Sequence, residues 1–150
     1  MIAGLDVRPN DRILSLSFPD PETIRAISAL LKRGGMVCLG GRDEVYEARR
    51  RLRELPNVLF HPGPPEEIPF DDEYFTLVVD LQCKWTDPAR VTREIQRVLL
   101  GGGRAVVAAE SSRQLLAAGL EKDESAGEFR VLHKPEGARP SPPDHLPVLR

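Results

Sequence analysis

The chain has 150 residues, 41% hydrophobic and 29% charged, which suits one domain with one core. Its 21 basic and 23 acidic residues leave a formal net charge of -2, so there is no electrostatic bias toward nucleic acid or an anionic membrane. No apolar stretch is long enough to span a bilayer, residues 1–10 lack the charged start and apolar core of a signal peptide, and Cys38, Cys83, His61, His133 and His145 show neither disulfide nor metal-ligand spacing, so the expectation is a cytoplasmic protein with reduced thiols and no metal.

The first strand is expected over residues 12–17, an apolar and small run broken by Phe18-Pro19-Asp20-Pro21. Asp20 is the expected N-cap of the first helix, with Pro21 at its first position. Ile24, Ile27, Leu30 and Leu31 recur at helical spacing, and Gly34-Gly35 ends the helix. Met36-Val37-Cys38-Leu39 reads as the second strand. Asp43 is expected to cap the next helix, carried by Val45, Ala48, Arg49 and Leu52. The basic run Arg49, Arg50, Arg51 and Arg53 reads as its solvated face.

Val58-Leu59-Phe60 is a third strand, followed by a proline-rich loop. Residues 75–81 form a fourth strand, apolar on both faces like a central parallel strand. Asp87-Pro88 opens a helix with Val91, Ile95, Val98 and Leu99 on one side, and Gly101-Gly102-Gly103 is expected to end it. Residues 104–109 form a fifth strand, and Ser111 or Ser112 caps a last helix ending near Gly119. Residues 120–123 and 129–133 are expected to pair as a closing hairpin across Ser125-Ala126-Gly127. The domain is expected to span residues 1–134, with 135–150 a proline-rich tail without a core of its own. Alternating strands and helices with short connections predict a doubly wound, mainly parallel α/β sheet covered on both faces.

Three segments carry a more specific pattern. Val7-Arg8-Pro9-Asn10-Asp11-Arg12-Ile13-Leu14 enters the first strand; Ile68-Pro69-Phe70-Asp71-Asp72-Glu73-Tyr74-Phe75 precedes the fourth; Arg93-Glu94-Ile95-Gln96-Arg97-Val98-Leu99-Leu100-Gly101-Gly102-Gly103-Arg104 closes the third helix. Together they resemble the class I S-adenosylmethionine-dependent methyltransferases, of the quinone-biosynthesis type, over residues 5–135. The resemblance implies a Rossmann-like sheet of seven strands in the order 3-2-1-4-5-7-6, the last antiparallel. It also implies a cofactor over the carboxyl ends of strands one and four.

The positions that would hold that cofactor depart from the family pattern. The acid after strand one is Ser15, and the glycine-rich turn falls on Ser17, Pro19 and Pro21. The acid after strand two corresponds to Leu39 or Gly40, with Asp43 and Glu44 further on explained by helix capping. The acid after strand three falls on Pro64. Each missing hydrogen bond is worth roughly 1–3 kcal/mol, so the expectation is a domain without a cofactor. About ten residues precede strand one and the segment after strand five is short, so no lid domain is expected.

The expected function is therefore a methyltransferase-like pseudoenzyme that acts as a binding or assembly module, as a homodimer or with a protein partner. The alternative is a divergent S-adenosylmethionine-dependent methyltransferase acting on a small molecule; a third reading is a binder of another small molecule. The cleft is expected near Phe18, Leu39, Pro64, Asp80 and Gln82, with no catalytic residue assigned. Asp80 reads either as a general base or as a loop cap. Cys38 reads as a reactive thiol or a small buried residue, and Trp85 as a contact residue or part of the core.

Overall fold

The computed structural model describes residues 5–126 and 128–136; the tail expected over 135–150 lies almost wholly outside the described residues. Seven strands alternate with helices: β1 (Arg12–Ser15), α1 (Pro21–Leu30), β2 (Gly35–Gly40), α2 (Arg42–Arg51), β3 (Val58–Pro62), β4 (Phe75–Asp80), α3 (Pro88–Val98), β5 (Leu99–Ala108), α4 (Ser112–Ala117), β6 (Glu121–Ala126) and β7 (Phe129–His133). They form one sheet in the order β3-β2-β1-β4-β5-β7-β6, as the family resemblance implies. Strands β1 to β5 pair in parallel, and β7 runs antiparallel to β5 and β6. No helix among the described residues is long and apolar enough to cross a membrane.

The sheet separates two apolar layers, because neighbouring residues on a strand face opposite sides. Ile13, Cys38 and Leu77 join Ile24, Ile27, Val45 and Ala48 of α1 and α2. Leu14, Val37 and Val78 join Val91, Ile95, Val98 and Leu115 of α3 and α4. Central strands buried on both faces explain the continuous apolar runs of the sequence.

Four local expectations are corrected. Strand β1 ends at Ser15, although Leu16 N–H still donates to Val79 O at 2.9 Å. Gly41, not Asp43, is the N-cap of α2; the helix begins at Arg42, and Asp43 lies in its first turn. The run Gly101-Gly102-Gly103 lies inside β5 instead of ending α3, which stops at Val98. Leu99 pairs with Phe75 and Arg104 with Leu77, so the glycines absorb an irregularity in β5; Gly102 takes a φ of 84°. Arg49 does not belong to the solvated face alone, since its guanidinium donates twice to Phe60 O on edge strand β3.

The chain between β3 and β4, which borders the cleft described below, is held from α3. Arg97 donates to Ile68 O, Phe70 O, Asp72 and Glu94, while Glu94 Oε1 accepts from Ile68 N–H at 2.8 Å. Burial works to raise the Glu94 carboxyl, but the bonds from Arg97 and Ile68 outweigh it and hold the group below its ordinary 4.5. Its contribution to stability is therefore complete above that ordinary value and is lost as pH falls through the lower folded value. Arg97→Ala is expected to lower the unfolding free energy by about 2–3 kcal/mol in urea at neutral pH. The difference from the parent protein should shrink in acid below the ordinary Glu94 value; a difference independent of pH would contradict the assignment.

Candidate functional site

The strand order reverses between β1 and β4, so the connections leaving these strands depart to opposite faces and open a crevice at their carboxyl ends. Two neighbouring cavities occupy it. The larger, about 610 Å³, lies between the ends of β2 and β3, lined by Leu16, Gly40, Gly41, Arg42 and Pro62 through Pro65. The smaller, about 120 Å³, is lined by Ser17, Phe18, Leu39, Glu44, Asp80, Gln82, Lys84 and Trp85. Leu16, Gly40 and Pro65 border both.

Of the residues singled out in the sequence, Ser17, Phe18, Leu39, Gly40, Pro64, Asp80 and Gln82 line these cavities. Ser15 and Pro19 do not. Ser15 is buried beneath the crevice, its hydroxyl donating to Ser17 O. Pro19 leads into α1, whose first residue is Pro21 and whose cap Asp20 accepts from the Thr23 hydroxyl.

Asp80 ends β4 and is 2% exposed. Its Oδ1 accepts from Gln82 N–H and Cys83 N–H, and its Oδ2 from Trp85 Nε1 at 2.6 Å. The carboxylate is thus committed to shaping the loop after β4, which turns through Cys83 at a φ of 50° and presents Gln82 and Lys84 to the small cavity. This is the loop-cap reading of Asp80. Trp85 is half-buried against the α3 layer. Glu66 closes the other side, accepting from Thr86 N–H and Asp87 N–H, so the loops after β3 and β4 are laced together.

Phe18 lies between Ser17 and Pro19, two of the positions where the family pattern has glycine. Its ring packs on Phe60, with centroids 5.8 Å apart, and covers Gly40. A Cβ at Gly40 would lie 2.5 Å from that ring and 2.9 Å from Glu44 Oε1. Glu44 reaches back from α2 so that this oxygen accepts from Gly41 N–H at 3.0 Å. Sequence reasoning missed Leu16, Gly41, Arg42, Pro62, Pro65 and Lys84, and left Glu44 as a cap. The signal was available for Glu44: a Glu three residues after an N-cap folds its carboxylate back over the strand end it follows.

A methyltransferase-domain family matches residues 42–107. The YrhH protein of Bacillus subtilis, classed by name among methyltransferases, is 30% identical over 75% of this chain and 64% of its own length. The ubiquinone/menaquinone biosynthesis C-methyltransferase UbiE of Proteus mirabilis is 33% identical over 87% of this chain and 54% of its own. The chain is similar in sequence to class I methyltransferases and has their fold, and it spans 54–64% of the length of these two curated relatives. The family fold recurs in a Haloferax volcanii methyltransferase in complex with the Trm112 activator, with a TM-score of 0.76 and 19% identity over 89% of this chain and 87% of that one. It recurs also in a SAM-dependent methyltransferase of Aquifex aeolicus, with a TM-score of 0.71 and 13% identity over 85% and 83%.

The similarity to methyltransferases, SAM-dependent in the Aquifex aeolicus neighbour, overturns the expectation that the chain takes no cofactor. The substitutions at Ser15, Leu39 and Pro64 remove acids from the strand ends, but the crevice remains open and retains a carboxylate, from Glu44. Its chemistry fits a nucleoside-sized group. Gly40 and Gly41 leave the end of β2 without side chains, and a Cβ at Gly63 would meet nothing within 4 Å. The larger cavity is of the size that small-molecule sites occupy.

The two thiols separate cleanly. Burial pushes Cys38 up to about 12, whereas Cys83 is only half-buried, its thiol raised by burial and donating to Asp80 O. With a thiol reagent at pH 8, one group is expected to react slowly in the folded protein, its reaction removed by Cys83→Ser, and Cys38 should react only after denaturation. Reaction in the folded state that survives Cys83→Ser would contradict this.

Proposed function

We propose that this chain carries the cofactor-binding domain of an S-adenosylmethionine-dependent methyltransferase acting on a small molecule. The observation that carries the reading is the open crevice of about 610 Å³ at the reversal of strand order, walled by the side-chain-free backbone of Gly40, Gly41 and Gly63. Backbone groups at the ends of β2 and β3 would hold the adenosine part, where Leu39 and Pro64 replace the acids of the family pattern. When bound, the cofactor supplies an electrophilic methyl group on a sulfonium sulfur.

The small cavity beside it, with Ser17, Gln82 and Lys84 at its edge, belongs to the reacting end. Asp80 acts there by positioning, because its oxygens already accept from Gln82, Cys83 and Trp85. It orients the loop and is not assigned as a base, so the acceptor must bring its own nucleophilic lone pair. Trp85 and the Glu66 lacing close one side of the crevice against water.

A second element of the reading is work with a protein partner, either another copy or a different chain. The Haloferax volcanii neighbour, matched over 87% of its length, is in complex with an activator protein. Light scattering at micromolar concentration tests self-association: a single species of 16.7 kDa restricts the partner to a different chain.

Calorimetric titration with S-adenosylmethionine and S-adenosylhomocysteine tests the central proposal. Saturable one-site binding of both is expected. Absence of heat with either ligand at about 1 mM, where a binding free energy of about 4 kcal/mol would register, would overturn it.

A further inference from the structure

We infer that the larger cavity also takes adenosine phosphorylated on its ribose, with Arg42 holding the phosphate, so that such nucleotides compete with the cofactor; this rests on the placing of the adenosine part in that cavity. The lining is leucine, glycine and proline apart from Arg42, the one charged residue in it, and it contains no carboxylate. The charge offered to a ligand here is therefore positive. A guanidinium donates and cannot accept, and its planar fork matches the oxygens of a phosphate.

Other donors of the lining are used or missing. Leu16 N–H donates to Val79 O at 2.9 Å, Gly63 N–H to Gly40 O at 3.1 Å and Gly41 N–H to Glu44 at 3.0 Å. Pro62, Pro64 and Pro65 have no N–H to give. An anionic group in this cavity therefore turns to the guanidinium. Arg42 is exposed and makes no ion pair among the described residues, whereas Arg49 and Arg50 of the same helix are engaged with Phe60 O and Glu47. Helix stability does not account for it. Arg42 is the first residue of α2, where the positive end of the helix dipole disfavours a cation. Across the cavity a Cβ at Gly63 would meet nothing within 4 Å, which leaves room for a bulky substituent. In the proposed placing the 5′ carbon of the ribose leads toward the small cavity, so the substituents that remain in the large one are those on the 2′ and 3′ carbons.

The test is calorimetric titration of the parent protein and of Arg42→Gln with adenosine, its 2′-, 3′- and 5′-monophosphates and S-adenosylhomocysteine. In the parent, the 2′- or the 3′-monophosphate is expected to bind at least about tenfold more tightly than adenosine, the margin of one charge-assisted bond, and to displace S-adenosylhomocysteine. Arg42→Gln is expected to cancel that margin while adenosine affinity stays within about twofold and the thermal midpoint is kept. The 5′-monophosphate should gain less than its isomers. Equal binding of adenosine and of both ribose phosphates by the parent would overturn the inference, and so would a margin that survives in Arg42→Gln or that the 5′-monophosphate shares in full. Binding of the ribose phosphates without displacement of bound S-adenosylhomocysteine would overturn it too, because the phosphate would then lie outside the cofactor's cavity. Failure of the parent to bind S-adenosylhomocysteine overturns the cofactor reading alone when the margin and its loss in Arg42→Gln are still observed.

Discussion

The architecture depends on a carboxylate buried below the sheet, at the end opposite the crevice. Asp11 is 4% exposed, and its carboxylate joins the chain before β1 to both β4 and β5. Oδ2 accepts from Arg8 N–H and from Arg104 on β5, and Oδ1 from the Thr76 hydroxyl on β4; the Thr76 oxygen in turn accepts from Arg12 N–H on β1. An unpaired charge at this depth would be strongly unfavourable, so the three central strands must take the register that satisfies it. The point of reversal in the sheet is therefore fixed from its amino end. The carboxyl ends, spared this duty, are free to diverge and open the crevice.

The walls of that crevice are rigid for a different reason. Arg97 and Glu94, on α3, bind backbone groups of the chain before β4, and Asp80 binds those after it. Both devices use a charged side chain against main-chain partners, where charge-assisted bonds are strong. Glu66 then couples the two walls through Thr86 and Asp87. The positions of Gln82 and Lys84 thus derive from contacts beneath the cleft, and a ligand meets a surface already shaped.

The strands and helices were legible because each buried strand is apolar on both faces and each helix carries one apolar stripe. The strand order came from the resemblance, since periodicity alone does not order parallel strands. The glycine run at 101–103 misled because glycine ends helices and also permits strand irregularities. Its role is decided by Leu99, which is already extended, with a ψ of 136°, and paired with Phe75. The cleft residues were legible as positions but not as chemistry. Asp80 needed the indole of Trp85 to show that it shapes a loop, and Glu44 needed the folded path of α2 to show where its carboxylate lies.

The inference from absent anchors to an absent cofactor failed for an instructive reason. It treated Ser15, Leu39 and Pro64 as independent losses whose costs add. Additivity holds for distant sites and breaks down for residues that share a space. Position 40 shares its space with Phe18 and Glu44, so the bare strand end and the ring that covers it form one arrangement and are not separate losses. Phe18 reads as an obstruction only when Gly40 is imagined with a side chain. Paired with glycine, the ring fills a vacancy, packs on Phe60 and borders the small cavity while the larger one stays open. The loss of side chains at the strand ends therefore does not by itself close the crevice, because what fills one position can leave the neighbouring space open.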